Sequence, residues 1–287
     1  MDLKKIAFYI MVVGAVIIFL TVSCSESDND DQAAGDKHYK SDDHGDHGSK
    51  HAANDHVMKG AHAVHWGYEG AGAPHLWGEL KAEYELCKSG ISQSPIDISA
   101  VTVTELSDIA FDYHPSPLTI VNNGHTIQVN YAPGSSMTVA GKHYDLLQFH
   151  FHAPSEHTVG GKAYDLVAHL VHKAQDGQLG VIGVVFAAGQ ANETIATLWD
   201  NMPQQSGQTV AAGAVTINAA DLLPPDLTYF NYAGSLTTPP CSEGVNWMVL
   251  VTPLSVSEGQ VAQFTELFPL SARPVQPLNG RTVSLSN

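Results

Sequence analysis

Basic residues are scarce in this chain. Of its 287 residues only 13 are Lys or Arg, against 29 Asp or Glu, and the formal net charge is −16. Proteins hold nucleic acids mainly by pairing cations with phosphates, so this balance argues against a nucleic-acid partner. A large acidic excess bears otherwise on solubility and self-repulsion, and it identifies no chemistry.

A long apolar run occurs only at the start of the chain. Residues Ile6–Val22 follow the basic stretch MDLKK, and the run closes in LTVSC with Cys24. A basic start before an apolar segment is typical of a secretory signal, and residues 6–22 are at the lower length limit of a membrane-spanning helix. We expect residues 1–24 to be a signal peptide with a lipoprotein site at Cys24. An uncleaved anchor helix is the alternative, and both export the chain to the periplasm or cell envelope.

Cysteine is also rare, with three residues in the whole chain. If Cys24 carries a lipid, Cys87 and Cys241 remain. In an oxidising compartment an even number of cysteines favours a disulfide. That bond would close a loop of about 150 residues, for which the chain-entropy model gives at most about 5 kcal/mol of stabilisation. Two buried free thiols are the alternative.

Large apolar residues are almost absent from residues 25–62, which carry six His and eight Asp. Such a stretch buries too little apolar surface to offset the entropy of ordering it, so we expect a disordered tether. Its His and Asp could bind zinc or copper loosely, although a solvated spacer is the simpler interpretation. Residues 63–287 then form the folded domain, without an internal repeat or a linker.

Helical signals are few in this domain, and β-rich runs dominate it. Helices are predicted for NETIATLWDNM, beginning at Asn192, and for SEGQVAQFTELF, with Ser257 as the N-cap. Runs rich in β-branched and aromatic residues, separated by Gly, Asn and Pro, are typical of a sheet-dominated protein. These runs include LTIVNNGHTIQVNY, SMTVAGKHYDLLQFHFH, LVAHLVHK, LGVIGVVF and VNWMVLVTPLSV. We therefore predict one domain, mainly β with a few short helices.

Five histidines lie between Asp145 and Lys173. Alternate side chains of a strand share a face, so LQFHFH places His150 and His152 on one face and the two phenylalanines on the other. Two imidazoles at this spacing can reach one ion, and a third would make a catalytic zinc site, which keeps its fourth position for water. In LVAHLVHK, His169 and His172 point to opposite faces, so only one of them can be the third ligand. Read alone, the pattern also fits histidines packed in a core.

Further motifs surround these histidines. They are HWGYEG (65–70), APHLWGEL (73–80), SQSPIDI (92–98), NNGH (122–125), SEHTV (155–159) and GSLTTPPCSEGVNWMVL (234–250). In this order and spacing they resemble the α-class carbonic anhydrases, from about His65 to Arg281. The resemblance implies a large, twisted, mostly antiparallel central sheet. It also implies zinc-dependent, reversible hydration of CO₂ to bicarbonate and a proton, by attack of zinc-bound hydroxide on CO₂.

The resemblance also assigns the catalytic centre. The residues that match the family's zinc ligands are His150, His152 and His169. Glu156 and Thr237 match the pair that orients the attacking oxygen. An ionised Glu can only accept hydrogen bonds, so the Thr237 hydroxyl would donate to Glu156 and accept from the nucleophile.

Other matching residues surround that centre. His125 matches the family's proton shuttle, a role that suits histidine because it titrates near neutral pH. The Thr238 hydroxyl matches a group near the bicarbonate position. The apolar wall expected around uncharged CO₂ is matched by Val171, Val181, Leu236, Val245 and Trp247. The positions that order the cleft water are matched by Tyr68, Asn123 and Gln128. The same match pairs Cys87 with Cys241, so that the disulfide would hold the loop of the catalytic threonine.

One position departs from the family. A zinc-bound His usually donates its other ring N–H to an acceptor, and losing that acceptor typically costs roughly 10–100-fold in metal affinity or activity. Gln148 can serve His150. For His169 the family usually has a Glu two residues earlier, where this chain has Val167, and we expect Asp165 to be too far away to replace it. A water or a backbone carbonyl is expected instead.

Two other classes of function stay open. A non-catalytic zinc-binding envelope protein of the same fold would typically lack a zinc ligand, whereas this chain keeps all three together with Glu156, Thr237 and His125. A metal store would depend on residues 25–62. Exported bacterial members of the family are often dimers, so a homodimer is a further expectation.

Overall fold

The structure, a computed structural model, describes residues 64–286. The expectations for the signal peptide and for the tether fall outside the described residues. Between residues 64 and 286 no helix has the length and apolar character needed to cross a membrane.

Strands dominate the described part of the chain, as predicted. They are β1 (Asp97–Ile98), β2 (Thr102–Val103), β3 (Ala110–Asp112), β4 (Ser116–Asn122), β5 (Ile127–Asn130), β6 (Ser136–Val139), β7 (Lys142–His152), β8 (Thr158–Val159), β9 (Leu166–Ala174), β10 (Leu179–Ala188), β11 (Thr209–Ile217), β12 (Tyr229–Ser235), β13 (Glu243–Leu250), β14 (Leu254–Val256) and β15 (Ser284–Leu285).

Thirteen of these strands form one sheet. Its order is β11-β4-β5-β7-β9-β10-β13-β12-β15-β2, with β14 paired to β10, and β6 paired to both β3 and β7. Most neighbours are antiparallel, whereas β13 and β14 run parallel to β10, and β2 runs parallel to β15. The predicted mostly antiparallel central sheet is therefore confirmed.

Helices are short and lie outside the sheet. The α-helices are α1 (Trp77–Leu80), α2 (Leu86–Ser89), α3 (Glu193–Asp200) and α4 (Glu258–Leu267), and the 3₁₀ turns are Gly70–Gly72, Pro74–Leu76, Ala82–Tyr84 and Ala219–Leu222. The two longer helices are the two predicted ones. Asn192 caps α3 by accepting from the amide of Ile195 at 3.0 Å. Ser257 caps α4 in a reciprocal capping box with Gln260, and such pairs satisfy amides that lack partners in the first turn.

A bulge interrupts the longest strand, β7. Leu146 pairs with His172 of β9, and Gln148 pairs with the next residue, Val171, so Leu147 has no partner in the ladder. Leu147 is exposed, at 44%. An extra residue in one strand reverses the alternation of its faces from that point onward.

Because of the bulge, both halves of β7 place side chains in the hydrophobic core. Tyr144 and Leu146 before the bulge pack in the same buried cluster as Phe149 and Phe151 after it. The side chains that follow the bulge on the other face are Gln148, His150 and His152. The hydrophobic core therefore lies on one side of the sheet and the histidines lie on the other.

Candidate metal centre

Three histidines meet on the face of the sheet opposite the core. His150 and His152 alternate along β7, and His169 of β9 lies directly opposite His150. Their candidate ligand atoms are all within 4.8 Å of one another. His152 and His169 are buried, while His150 is partly accessible. The structure thus brings together the predicted set, and His172 lies on the core face as the alternation requires.

Hydrogen bonds fix two of the rings. Nδ1 of His150 is 2.9 Å from the amide oxygen of Gln148. Nδ1 of His152 is 2.5 Å from the carbonyl oxygen of Ser271. Both oxygens can only accept, so both Nδ1 atoms carry the proton and both Nε2 atoms keep a lone pair. A neutral imidazole with a free lone pair is the form that ligates metals.

Glu156 lies against two of the rings. Its Oε2 is 3.5 Å from Nε2 of His152 and 3.7 Å from Nδ1 of His169, so these two ring nitrogens point toward the same place. Its Oε1 accepts a hydrogen bond from the backbone amide of Arg273 at 2.9 Å. Burial raises the pKa of the Glu156 carboxyl, and the opposing effects of His152, the Thr237 hydroxyl and Arg273 offset only part of this rise.

Thr237 belongs to a loop that a disulfide holds in place. Cys241 is bonded to Cys87 of α2, 154 positions away in the sequence. The Cys241 amide also donates to the carbonyl oxygen of Thr238 at 2.9 Å. Thr237 itself is 5% exposed. The predicted disulfide is confirmed, and it connects the loop of the candidate catalytic threonine to the N-terminal part of the domain.

Sequence reasoning missed Arg273 and Ser271, whose backbone groups contact the centre. The Arg273 side chain is 2% exposed and donates to Gln93 Oε1 at 2.9 Å, to the Ser94 carbonyl at 2.7 Å and to the Cys87 carbonyl at 3.0 Å. Burial lowers the pKa of its guanidinium to about 10. The available signal was weak: an arginine within the otherwise uncharged stretch LSARPVQPL.

His157 was also missed, although it stands in the motif SEHTV. Its side chain is buried, and its Nε2 is 2.6 Å from the hydroxyl of Tyr232. That hydroxyl lies 2.8 Å from the Ser94 hydroxyl. Burial lowers the pKa of His157 to about 3, so the ring is neutral at pH 7. Its presence among five clustered histidines was the only signal that could have singled it out.

The apolar residues predicted to line the substrate site lie beside the histidines. Val171 of β9, Val181 of β10 and Trp247 of β13 are cross-strand neighbours in one row of the sheet. All three are buried, as is Val245, which precedes Trp247 by two positions on the same strand. Leu236 follows β12 and is partly buried. An apolar row therefore adjoins the centre, with the Trp247 ring 4.8 Å from that of His169.

His125 is stacked on Trp66 away from the three-histidine centre. The two rings have centroids 3.5 Å apart and planes inclined by 8°, and the ring of His65 is 5.1 Å from that of His125. Burial, and to a lesser extent His65, lowers the pKa of His125 to about 4. In this position the ring is neutral at pH 7.

The three polar residues predicted to order cleft water have different environments. Asn123 caps its own turn, because its Oδ1 accepts from the amides of His125 and of the following residue, both at 3.0 Å. Gln128 donates from Nε2 to a side-chain oxygen on its own strand at 2.7 Å. The Tyr68 hydroxyl is buried and has no hydrogen-bond partner among residues 64–286.

Known proteins resemble this chain over most of the described domain. Residues 72–287 match the family described as eukaryotic-type carbonic anhydrase. A carbonic anhydrase of Nostoc sp. strain PCC 7120 is 46% identical over 228 residues, which cover 78% of this chain and 86% of that protein. A carbonic anhydrase of Klebsiella pneumoniae is 48% identical over 225 residues, which cover 77% and 91% respectively. A solved structure of a hyperthermostable carbonic anhydrase from an active hydrothermal vent chimney matches with a TM-score of 0.76 at 49% identity, covering 78% of this chain and 100% of that one.

Proposed function

The chain belongs to the eukaryotic-type, or α, carbonic anhydrase family, and on this premise we propose that it hydrates carbon dioxide reversibly to bicarbonate and a proton, with zinc as its cofactor. The observation that carries the proposal is the convergence of His150, His152 and His169 within 4.8 Å. Glu156 stands beside two of these rings, and an apolar surface adjoins them.

The donor set fits zinc. Three imidazole nitrogens are the ligands of a typical hydrolytic zinc site, which keeps one further position open. The buried Nε2 of His152 has no hydrogen-bond partner among the described residues, as expected of a metal ligand. Nε2 of His150, Nε2 of His152 and Nδ1 of His169 would hold the ion. Zinc bound there supplies a Lewis acid that makes hydroxide available near neutral pH, a known property of this enzyme class.

Glu156 and Thr237 would orient the attacking oxygen. The Arg273 amide holds one carboxylate oxygen of Glu156 at 2.9 Å, which fixes the direction of the other. A carboxylate only accepts hydrogen bonds, so the Thr237 hydroxyl would donate its single proton to Glu156. The hydroxyl oxygen then offers only lone pairs to the nucleophile, whose own lone pair is directed at the carbon of CO₂. Correct orientation of two reactants can contribute several powers of ten in rate.

The apolar row would admit the substrate. Carbon dioxide has no charge and weak hydrogen-bonding groups, so a water-excluding surface binds it better than a polar one. Val171, Val181 and Trp247 provide that surface, together with Val245 and Leu236. The Thr238 hydroxyl, next to Thr237, is available to the more polar product.

His125 would pass the released proton to solvent. A relay group must accept a proton at the working pH, but where the ring stacks on Trp66, burial and, to a lesser extent, His65 lower the pKa of His125 to about 4. Relay at neutral pH therefore requires the ring to leave Trp66. Contact with water then brings its pKa back toward the ordinary value near 6.5.

Stopped-flow CO₂ hydration by the full chain tests this function. We expect turnover that falls to the buffer background after zinc is removed with a chelator and returns when zinc is added. His169→Ala should lose both zinc and turnover. The exposed His143, paired with Asp145 at 3.2 Å, gives the matched control: His143→Ala should keep both. Full turnover by the chelated His169→Ala variant would refute the proposal.

We also propose that the enzyme is exported and attached to the membrane through its N-terminus. The basic start, the apolar run and Cys24 support this, and the disulfide supports an oxidising compartment. Mass spectrometry of the protein from its native membrane should find a lipid on Cys24, or an intact residue 1 if the helix is an anchor. We propose a homodimer only because exported bacterial members of the family are often dimers. Analytical ultracentrifugation of the purified chain tests this.

A further inference from the structure

Two buried ring nitrogens beside the metal centre lack hydrogen-bond partners. They are Nε2 of His169 and Nδ1 of His157, and neither has a partner within the described residues. Each side chain is 1% exposed. Their ring centroids are 6.2 Å apart, with planes inclined by 77°. Buried polar atoms are rarely left unsatisfied in proteins, so each such atom calls for an explanation.

The nitrogen of His169 points away from the metal side of its ring. Nδ1 of this ring faces Glu156 at 3.7 Å, so Nε2 is on the far side and carries the proton when Nδ1 binds a metal. A metal-bound His normally donates this proton to an acceptor. Two positions earlier on the same face stands Val167, which cannot accept. Asp165 is exposed and accepts from the Ala188 amide at 2.7 Å instead. Within the described part of the chain, no backbone carbonyl accepts from Nε2 either.

Nδ1 of His157 lacks a hydrogen-bond partner for a different reason. The other ring nitrogen, Nε2, is engaged by the Tyr232 hydroxyl at 2.6 Å. If the hydroxyl donates to Nε2, then Nδ1 of His157 carries a proton; if it accepts, Nδ1 carries a lone pair. A water molecule that accepts a hydrogen bond from His169 can accept a second hydrogen bond or donate one of its own. One water therefore satisfies both rings in either tautomer.

Among residues 64–286 no protein group bonds to either nitrogen. The ring of Trp247 packs against both histidines, with centroids 4.7 Å from His157 and 4.8 Å from His169. Its only polar atom, Nε1, already donates to the carbonyl of Ser235 at 2.9 Å. Val167 contributes only methyl groups. Buried waters are found where two or more polar groups face one another across otherwise apolar walls.

We propose that one buried water bridges Nε2 of His169 and Nδ1 of His157, so that His157 acts through this water as a positioning residue for the metal ligand. This inference rests on the proposed zinc site. It gives the chain a neutral hydrogen-bond partner where the family resemblance implies a carboxylate. Hydrogen bonds to a neutral oxygen are weaker than those to an anion, so His169 is held less firmly and releases zinc more readily.

A series of variants at Val167 tests the bridge through zinc affinity, measured by competition with a chromogenic chelator. Val167→Glu introduces an acceptor in place of the water, and zinc should bind at least about 10-fold more tightly. Val167→Leu fills the space without an acceptor, and zinc should bind roughly 10–100-fold more weakly. Val185 is buried and pairs with Val167 across β9 and β10. Val185→Leu adds the same volume at this neighbouring position and should leave the zinc affinity unchanged.

A crystal structure of the zinc-loaded protein at atomic resolution gives a second readout. It should show one water within hydrogen-bond distance of both nitrogens, and in Val167→Glu a carboxylate oxygen in its place. Equal zinc affinities of the wild type and Val167→Glu overturn the proposal, as does a structure with no solvent between the rings. Should Val167→Leu fail to fold, these two measurements still decide. Loss of CO₂ hydration in the zinc-loaded wild type would refute the proposed function while leaving the bridge testable by affinity and crystallography.

Discussion

His125 and Trp66 lie face to face, with ring centroids 3.5 Å apart and an angle of 8° between their planes. The contact removes one face of the imidazole from water, and burial, with a smaller effect of His65, lowers the pKa of His125 to about 4. Because burial disfavours the charged ring, this position opposes protonation of His125, which the proposed proton relay requires. In the proposed relay role, the position of this ring would couple aromatic packing to proton transfer.

Replacing the indole should release the histidine. In Trp66→Ala we expect the pKa of His125 to rise from about 4 toward 6.5, since burial is the main cause of its depression. The measurement is an NMR titration of the ring protons of His125. Trp66→Phe, which keeps an aromatic face, should retain a clearly depressed pKa. An unchanged pKa in Trp66→Ala would assign the depression to groups other than the indole.

Removing the hydroxyl of Thr237 should slow CO₂ hydration without affecting zinc. Thr237→Val keeps the shape of the side chain but can neither donate to Glu156 nor accept from the nucleophile. We expect kcat/KM to fall roughly 10²-fold, as is usual for a misoriented reacting group, while zinc content stays at one ion per chain. Thr265→Val is the control, because that hydroxyl bonds only to carbonyls within α4. Wild-type kcat/KM in Thr237→Val would contradict the assigned role.

Breaking the disulfide should affect both stability and turnover. In the double variant Cys87→Ser, Cys241→Ser we expect the free energy of unfolding to fall by roughly 2–5 kcal/mol, because the bond closes a long loop of the unfolded chain. The loop that carries Thr237 also loses its covalent tie, so kcat should fall. Urea denaturation and stopped-flow assays of the folded variant measure the two effects. A folded variant with unchanged kcat would show that the bond serves stability alone.

His172 should make stability depend on pH. It is fully buried, with Nε2 2.7 Å from the Tyr113 hydroxyl, and burial lowers its pKa to about 4. Since the unfolded pKa is near 6.5, the unfolded chain binds one more proton between pH 4 and 6.5. Stability from this group is therefore complete above about pH 6.5 and falls with decreasing pH by up to about 1.4 kcal/mol per pH unit.

Comparison of pH slopes isolates this contribution. His172→Gln should show a shallower decline in the free energy of unfolding between pH 6.5 and 4 than the wild type, measured by urea denaturation at each pH. The exposed His143 provides the matched control, and His143→Ala should keep the wild-type slope. Identical slopes in all three proteins would mean that His172 titrates alike in the folded and unfolded chains.

Deleting residues 25–62 should separate the enzyme from a metal store. If catalysis resides in the described domain, the deleted chain keeps its kcat and retains one tightly bound zinc per molecule. Any loosely held zinc or copper that depends on the six histidines of this stretch should disappear. Equilibrium dialysis against each metal, alongside the CO₂ assay, distinguishes the two. A large loss of kcat would show that these residues take part in turnover.

Local patterns accounted for what the sequence predicted correctly. Strand alternation placed His150 with His152 and separated His169 from His172, because side chains of a strand alternate strictly between faces. The N-cap at Ser257 and the helix at Asn192 were equally visible, since an N-cap side chain accepts from an amide two or three positions later. These features need no knowledge of distant parts of the chain.

Long-range contacts account for what was missed. Arg273 donates to carbonyl and amide oxygens more than 170 positions away, and Ser271 meets His152 across 119 positions. Neither Arg273 nor Ser271 stands in a motif that predicts its contact. The conformation of His125 depends on Trp66 in the same way, and the isolation of the nitrogens of His157 and His169 appears only when their neighbours are placed.

The bulge at Leu147 makes β7 sensitive to the loss or gain of a single residue. Loss or gain of one residue between Leu147 and His152 would reverse the faces on which Phe151 and His152 lie. The imidazole would then enter the hydrophobic core and the phenyl ring would leave it. Removing Leu147 itself would leave the histidines in place but turn Tyr144 and Leu146 outward. The one extra residue at Leu147 thus lets the residues before it and the residues after it each face the side of the sheet that they require.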